Sequence, residues 1–349
     1  MRTHTVVLTL LLVAVALSGC KSDSPATPSP PEKGPASAPA GKGSPKAPEA
    51  KKQEEAKKAE APAAKKAEAP TEPTTQPTTA SADGGVMPSE AAIDVRVKAA
   101  TERLQGSEAG KLVLKSLNFH GGLKAWYSNG PIAFRFDYRP LNNPDRGPTD
   151  THQVIDTWSS RARHVWTADK EAEFGWTGEK AWVKDPNESV KTNPRFWALT
   201  PYYFVAVPFV MADPGVVLTM AGEQVFEEKT WTLVKATFKP GTGDAPDDFY
   251  VLYIDKESGR VGGLRYIVTY KGFFKTGGHS PEKFMSYDGA QTVKGITLPK
   301  TYRTFKWDPD KKEVGEQVTA ITLSDVSFKP EIKASYFEPV EGAKVLDGF

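Results

Sequence analysis

Cysteine is almost absent from this sequence, since the 349 residues contain only Cys20. A lone thiol near the amino terminus leaves no disulfide, thiol nucleophile or cysteine metal ligand for the rest of the chain. Histidine is also scarce, with five residues. His120, His152, His164 and His279 have no partner at metal-ligand spacing, so we expect neither a metal site nor a cofactor.

An excess of charge of one sign is missing as well. The chain has 45 Lys and Arg against 43 Asp and Glu. The small positive excess belongs to residues 1–88, and residues 89–349 carry equal numbers of basic and acidic side chains. Because nucleic-acid binding needs a clustered basic face, this balance argues against nucleic acid as a partner.

The sequence also lacks the motifs that identify common catalytic sites. The sequence contains no G-x-S-x-G elbow, H-E-x-x-H helix, P-loop or dinucleotide-binding fingerprint. The acidic stretch GTGDAPDD at 241–248 lacks the ligand spacing of a calcium loop and indicates a solvated turn. We therefore expect a protein that is not an enzyme and has no catalytic residues.

The amino terminus has the pattern of a secretion signal. Arg2 precedes the apolar run VVLTLLLVAVAL, and small residues follow it. The sequence LSGC at 17–20 resembles the lipobox of bacterial lipoproteins, although a plain signal peptide with an unmodified cysteine is the alternative. The resemblance implies cleavage before Cys20 and acylation of Cys20, which anchors the chain in the cell envelope facing the periplasm. Lys21 in place of Asp favours the outer membrane.

Residues 20–88 contain few apolar side chains that could pack into a core. They consist mainly of Pro, Ala, Lys, Glu, Thr and Ser, with KKAEAP at 57–62 and again at 65–70. Such a composition cannot bury enough apolar surface to offset the entropy of ordering. We expect a signal peptide at 1–19, a lipidated cysteine with a disordered tether at 20–88, and one folded, monomeric domain at 89–349.

The folded part begins with helical patterns and continues with strand patterns. Ser89 can cap a helix to about Leu104, and a second helix fits 108–119, with Gly121 supplying the left-handed stop. The apolar period then changes from 3.6 to 2, and about ten or eleven short strands follow at meander spacing. These features predict an α+β fold that is mainly antiparallel β.

Two local interactions are expected from this reading. If Ser159 and Ser160 form a two-residue turn, Asp156 and Arg163 face each other across a hairpin, while His152 and His164 lie on different faces of the sheet. His120, at a helix end before two glycines, is expected to interact with the helix dipole or to cap the helix.

The most apolar stretch of the folded part is NPRFWALTPYYFVAVPFVMADPG at 193–215. Prolines interrupt it about every seven residues, so it cannot form a membrane-spanning helix of about 20 residues. Asn193-Pro194 and Thr200-Pro201 each resemble a cap followed by proline at the first helical position. Its apolar residues point in every direction on a helical wheel, so the segment must be covered on all sides, as a curled sheet would do.

One aromatic strand can form the facing wall. In PIAFRFDYRP the aromatic residues alternate with smaller or charged ones, which indicates a half-buried strand. The expected hydrophobic site combines this strand with the apolar stretch. Its residues are Phe134, Phe136, Tyr138, Trp197, Tyr202, Phe204, Phe209 and Met211.

Four stretches resemble the LolA/LolB-type lipoprotein-carrier superfamily over residues 105–340. They are HGGLKAW (120–126) before the first aromatic strand, the proline-broken segment, VKGITLPKTYRTF (293–305) and SDVSFKPEIKASYFEP (324–339). The resemblance implies a half-barrel of about 11 strands, a curled open antiparallel sheet with short helices in its concave face. It also implies binding of acyl chains between the sheet and the helices.

Two functions are consistent with these patterns. The first is a lipid-anchored envelope lipoprotein that binds acyl chains or lipoproteins in a hydrophobic half-barrel cavity. The second is a non-catalytic structural or interaction lipoprotein with the same fold and a filled cavity. A cavity of several hundred Å³ between helices and sheet would favour the first function, and close packing would favour the second.

Overall fold

A computed structural model of the chain describes residues 84–243, 245–274 and 278–346. The expected signal peptide, Cys20 and nearly all of the expected tether lie outside the described residues. The boundaries expected for these regions, and the acylation of Cys20, therefore stay predictions.

Three helices open the described part of the chain: α1 (Glu90–Gln105), α2 (Glu108–Phe119) and α3 (Leu123–Ser128). The Ser89 hydroxyl accepts a hydrogen bond from the Ala92 N–H at 3.2 Å, which confirms the predicted cap. Gly121 has a φ of 115°, a conformation that favours glycine, and it follows the end of α2 as predicted.

Fifteen strands follow among the described residues. The first eight are β1 (Ile132–Pro140), β2 (Thr149–Ile155), β3 (Ala162–Trp166), β4 (Glu173–Trp176), β5 (Ala181–Lys184), β6 (Val216–Phe226), β7 (Lys229–Phe238) and β8 (Phe249–Ile254). The others are β9 (Val261–Tyr266), β10 (Lys283–Asp288), β11 (Gln291–Val293), β12 (Ile296–Leu298), β13 (Thr301–Asp308), β14 (Glu313–Phe328) and β15 (Lys344–Leu346). Two further helices, α4 (Pro194–Trp197) and α5 (Thr200–Val205), lie between β5 and β6.

Thirteen of these strands form one antiparallel sheet in the order β15-β5-β4-β3-β2-β1-β14-β13-β10-β9-β8-β7-β6. Its end strands, β15 and β6, do not pair with each other, so the sheet is open, as predicted. The sequence patterns predicted eleven of these thirteen strands, and β4 and β15 are the two that they did not predict. The run ITLPKTYRTFKW is divided at Pro299, where β12 pairs with β11 in a separate hairpin and β13 joins the large sheet.

The hairpin of β2 and β3 has a different register from the predicted one. The Asp156 N–H donates to the Arg161 carbonyl at 2.8 Å, and the Asp156 carboxylate accepts from Ser159 and Arg161, which closes a longer loop. The predicted pairing of Asp156 with Arg163 is therefore wrong, because Arg161 is its partner and Arg163 pairs with Glu173.

The two histidines of this hairpin nevertheless lie on different faces, as expected. His164 is opposite Gln153 and His152 is opposite Val165. Because successive residues of a strand alternate between the two faces, the neighbouring positions 152 and 153 point to opposite sides of the sheet.

The sheet has apolar clusters on both faces. The larger cluster joins α1, α2, α3 and residues 197–212 to one face. A smaller cluster lies in strands β7 to β13 and includes Trp231, Tyr253, Phe284 and Trp307. In β8 the two clusters alternate, since Leu252 belongs to the first and Val251 to the second. None of the helices within the described residues has the length and hydrophobicity that crossing a membrane would require.

Candidate ligand-binding cleft

Residues 193–213, called the inner segment below, form two short helices and a 3-10 turn. The Asn193 side chain accepts from the Phe196 N–H at 3.0 Å, so the predicted cap at α4 is confirmed. Thr200 differs from its predicted role, because it is the first residue of α5 and its hydroxyl donates to the Phe196 carbonyl at 2.7 Å. A turn at Phe209–Ala212 completes the segment.

Buried side chains of the sheet bind backbone carbonyls of the inner segment. The Tyr287 hydroxyl donates to the Phe204 carbonyl at 2.8 Å, and His164 Nε2 lies 2.9 Å from the Ala198 carbonyl. These are carbonyls that short helices leave without an intrahelical partner. The sheet therefore supplies hydrogen bonds that the proline-broken segment cannot make for itself.

The sheet curls around the inner segment. His164 of β3 contacts Ala198, while Tyr266 of β9 packs on Phe204 with ring centroids 5.1 Å apart. Six strand spacings separate β3 from β9 in the sheet order, about 29 Å if the sheet were flat. Ala198 and Phe204 are six residues apart, about 9 Å along a helix. Both contacts can form together only because the sheet bends, which agrees with the predicted curled sheet.

The helices cover the other side of the inner segment. Trp126 of α3 stacks on Phe209 with centroids 4.3 Å apart and an interplanar angle of 1°. Arg103 of α1 donates to the Ala212 carbonyl at 2.6 Å, and Arg96 forms an ion pair with Asp213 at 3.0 Å. The segment is thus enclosed between helices and sheet, as its all-round apolar pattern predicted.

A cleft of about 130 Å³ lies between the inner segment and strands β6 to β9. Apolar and aromatic residues form most of its wall. They are Phe196, Leu199, Tyr203, Phe204, Val210, Met211, Val216, Phe238, Ala245, Tyr250, Tyr266, Ile267, Val268 and Tyr270. An apolar cavity of about 150 Å³ is known to hold one benzene ring. The cleft therefore has room for a group of that size and not for a whole acyl chain.

The eight predicted site residues divide into two groups. Phe204 and Met211 line the cleft. The other six lie elsewhere in the same apolar cluster: Phe134, Phe136, Tyr138, Trp197, Tyr202 and Phe209. Among these, Tyr138 packs on Trp197 with centroids 5.2 Å apart. The expected residues thus belong to one apolar cluster, but most of them pack within that cluster and do not line the cleft.

Several lining residues were not anticipated from the sequence. Tyr250 and Tyr266 point into the cleft from β8 and β9, and Asp248 lies just before β8. The alternation of Tyr250 with Val251 and Leu252 was available as a signal, since residues two apart share a face. This alternation could not be recognised in the sequence, because the residues on both faces of β8 are apolar.

Two histidines are buried, and burial lowers the pKa of both. Burial lowers the pKa of His164 from 6.5 to about 4, against the opposing effect of its bond to the Ala198 carbonyl. Burial also lowers the pKa of His120, whose Nδ1 lies 2.8 Å from the Thr297 carbonyl and whose Nε2 accepts from the Val261 N–H. His120 is the C-cap residue of α2, which confirms the capping alternative: its backbone N–H donates to the Ser116 carbonyl at 3.0 Å. Its ring does not act on the helix dipole, because it bonds instead to Thr297 of β12 and Val261 of β9.

The described residues contain no group of three His, Cys, Asp or Glu side chains placed to hold a metal ion. Among the described residues no histidine lines the cleft. The apolar part of its wall can contact an apolar group, and polar lining residues such as Thr242 and Asp248 can contact a polar one.

Comparison of the sequence with protein-family models and with curated proteins finds no match. Solved structures similar to the chain include a domain from Vibrio parahaemolyticus that is named for outer membrane lipoprotein sorting. The two sequences are 10% identical, the match covers 65% of this chain and 94% of that chain, and the TM-score is 0.40. A LolA superfamily protein from Nitrosomonas europaea has 10% identity, 63% and 93% coverage and a TM-score of 0.41.

A DUF1329 family protein from Desulfovibrio piger has 13% identity, 70% and 97% coverage and a TM-score of 0.41. The names of these solved structures include the superfamily that the sequence patterns resemble. This likeness concerns the fold, and the function proposed below rests on the cleft of the chain itself.

Proposed function

We propose that the chain is a cell-envelope lipoprotein that binds the hydrocarbon part of a lipid in the cleft between the inner segment and strands β6 to β9. The observation that carries this proposal is the cleft itself, an aromatic and aliphatic space of about 130 Å³ beside a segment made of short pieces. Each methylene removed from water contributes about 0.8 kcal/mol, so even part of an acyl chain gains useful free energy there.

A longer acyl chain requires the inner segment to move. Hydrogen bonds hold the backbone of the segment at separate points, including Tyr287 to Phe204, His164 to Ala198 and Arg103 to Ala212. Its prolines divide it into pieces that can shift separately. We infer that the ligand enters beside Phe204 and Met211 and widens the cleft toward the residues that now pack on each other.

The proposal also includes the location of the protein. Acylation of Cys20 attaches the chain to the outer membrane on its periplasmic side, and residues 20–88 form a tether for one monomeric domain at 89–349. Its support is the lipobox-like LSGC sequence, Lys21 and the low-complexity composition that follows. No catalytic step is part of this function.

The test is a displacement assay in which residues 21–349 bind a fluorescent long-chain alcohol, with Ala245→Trp as the perturbing variant. Ala245 is a half-buried loop residue that lines the cleft, so an indole ring there fills the space. Ala290→Trp is the matched control, because Ala290 is exposed and does not line the cleft. We expect binding by the unmodified chain and by Ala290→Trp, and a loss of about ten-fold or more in Ala245→Trp, since an occupied cavity cannot take the ligand.

A second function is favoured by one specific observation. Six of the eight expected site residues pack within the core, and the cleft is smaller than the several hundred Å³ expected for a carrier. This arrangement suits a structural or interaction lipoprotein with a filled cavity. That function predicts no saturable binding of the fluorescent alcohol by either the unmodified chain or the control variant.

A further inference from the structure

The described residues of the cleft wall carry charge of only one sign. Asp213 and Asp248 are the charged residues among them, and no Lys, Arg or His of the described ranges lines the cleft. An anionic ligand group, such as a carboxylate or a phosphate, would meet these two acids and no described cation to pair with. The charge of the wall therefore argues against an anionic group at the polar end of the ligand.

The two acids differ in how their charge is balanced. Asp213 pairs with Arg96 at 3.0 Å, so its charge is compensated within the protein. One oxygen of Asp248 accepts hydrogen bonds from the N–H and the hydroxyl of Thr269, at 2.6 and 2.7 Å. No Lys or Arg in the described part of the chain forms an ion pair with Asp248. Burial raises the pKa of Asp248, and the bonds from Thr269 oppose that rise.

Aromatic rings form much of the wall around these acids. Seven aromatic residues line the cleft: Phe196, Tyr203, Phe204, Phe238, Tyr250, Tyr266 and Tyr270. The face of an aromatic ring carries a negative quadrupole, and several rings together attract an organic cation. A trimethylammonium group is slightly smaller than benzene, so it fits a space that is comparable to a benzene cavity.

We propose that the cleft selects a ligand whose hydrocarbon part ends in an organic ammonium group, with Asp248 as its counter-ion and the aromatic residues as the surrounding wall. This inference rests on the proposed function, because it names the polar chemistry of the ligand that the same cleft binds. A carboxylate in this position would face Asp248 with no compensating cation from the described residues of the wall, and burying it there would be unfavourable.

The experiment is a calorimetric titration of the full chain in a non-ionic detergent with three probes of equal chain length: hexyltrimethylammonium, hexanol and hexanoate. The variant is Asp248→Asn, whose amide oxygen can still accept from Thr269. Asp247→Asn is the matched control, since it removes the same charge at an exposed neighbouring position outside the cleft wall.

We expect hexyltrimethylammonium to bind about ten-fold tighter than hexanol, and hexanoate to bind most weakly. Asp248→Asn should lose about ten-fold for the ammonium probe and nothing for hexanol, and Asp247→Asn should behave as the unmodified chain. Equal binding of the three probes, or ammonium binding that Asp248→Asn leaves unchanged, overturns the inference and leaves the proposed function standing. Failure of all three probes to bind overturns both.

Discussion

Acidification should destabilise this protein through His164, and replacing His164 should remove much of that effect. The ring is fully buried between β3 and the inner segment, and burial lowers its pKa from 6.5 to about 4. Above about pH 6.5 the ring is neutral in both the folded and the unfolded chain. Between about pH 6.5 and about pH 4 the unfolded chain binds a proton that the folded chain does not, so stability is lost as the pH falls.

The size of the effect follows from the pKa difference. One unit corresponds to about 1.4 kcal/mol, so the full contribution is about 3 kcal/mol, and about 2 kcal/mol of it is lost between about pH 7 and about pH 5. His120 acts in the same direction, because burial lowers its pKa too. It is unchanged in the variants below, so it does not affect the comparison.

The assay is urea unfolding of residues 21–349 at about pH 7 and about pH 5, for the unmodified chain, His164→Gln and His279→Gln. His279 is exposed, so its replacement is the control for the same chemical change. We expect the loss of unfolding free energy between the two pH values to be smaller by about 2 kcal/mol in His164→Gln and unchanged in His279→Gln. An equal loss in all three proteins would refute the reasoning.

Three other variants test contacts around the inner segment and the sheet. Asp213→Asn should cost about 1–3 kcal/mol of unfolding free energy, because it leaves the Arg96 guanidinium without its ion-pair partner, although a third of the Asp213 side chain is exposed. Tyr287→Phe removes the hydrogen bond to the Phe204 carbonyl and should cost about 1 kcal/mol, with faster hydrogen exchange confined to the inner segment as the accompanying signal. Gly262→Ala places a methyl group inside a buried indole ring and should lower thermal stability by several degrees, whereas no loss of stability would show that the sheet adjusts freely there.

Much of the fold was predictable where short-range chemistry decides it. The caps at Ser89 and Asn193 are visible in the sequence because a side-chain oxygen stands just before an apolar period. The register of β2 and β3 was not predictable in the same way. The carboxylate of Asp156 binds groups up to Arg161 and so lengthens the loop, an effect that a two-residue turn rule does not contain.

The site was predictable only in part. The alternation of Phe134, Phe136 and Tyr138 correctly placed these rings on the face that packs with the inner segment. Whether those rings leave a space between them depends on how tightly distant elements pack, which no local pattern records. Tyr250 and Tyr266 were missed because an apolar cluster on the outer face of the sheet hides the period of 2.

The central claim is that hydrocarbon binds between the inner segment and strands β6 to β9. Photo-crosslinking with a long-chain alcohol that carries a diazirine on its chain, followed by mass spectrometry of the labelled peptides, tests it most directly. The account predicts labels within 196–216 and 238–270, which contain the cleft wall, and competition by the unlabelled alcohol. Labels that lie outside these ranges, or labels that the unlabelled alcohol does not reduce, would contradict the claim.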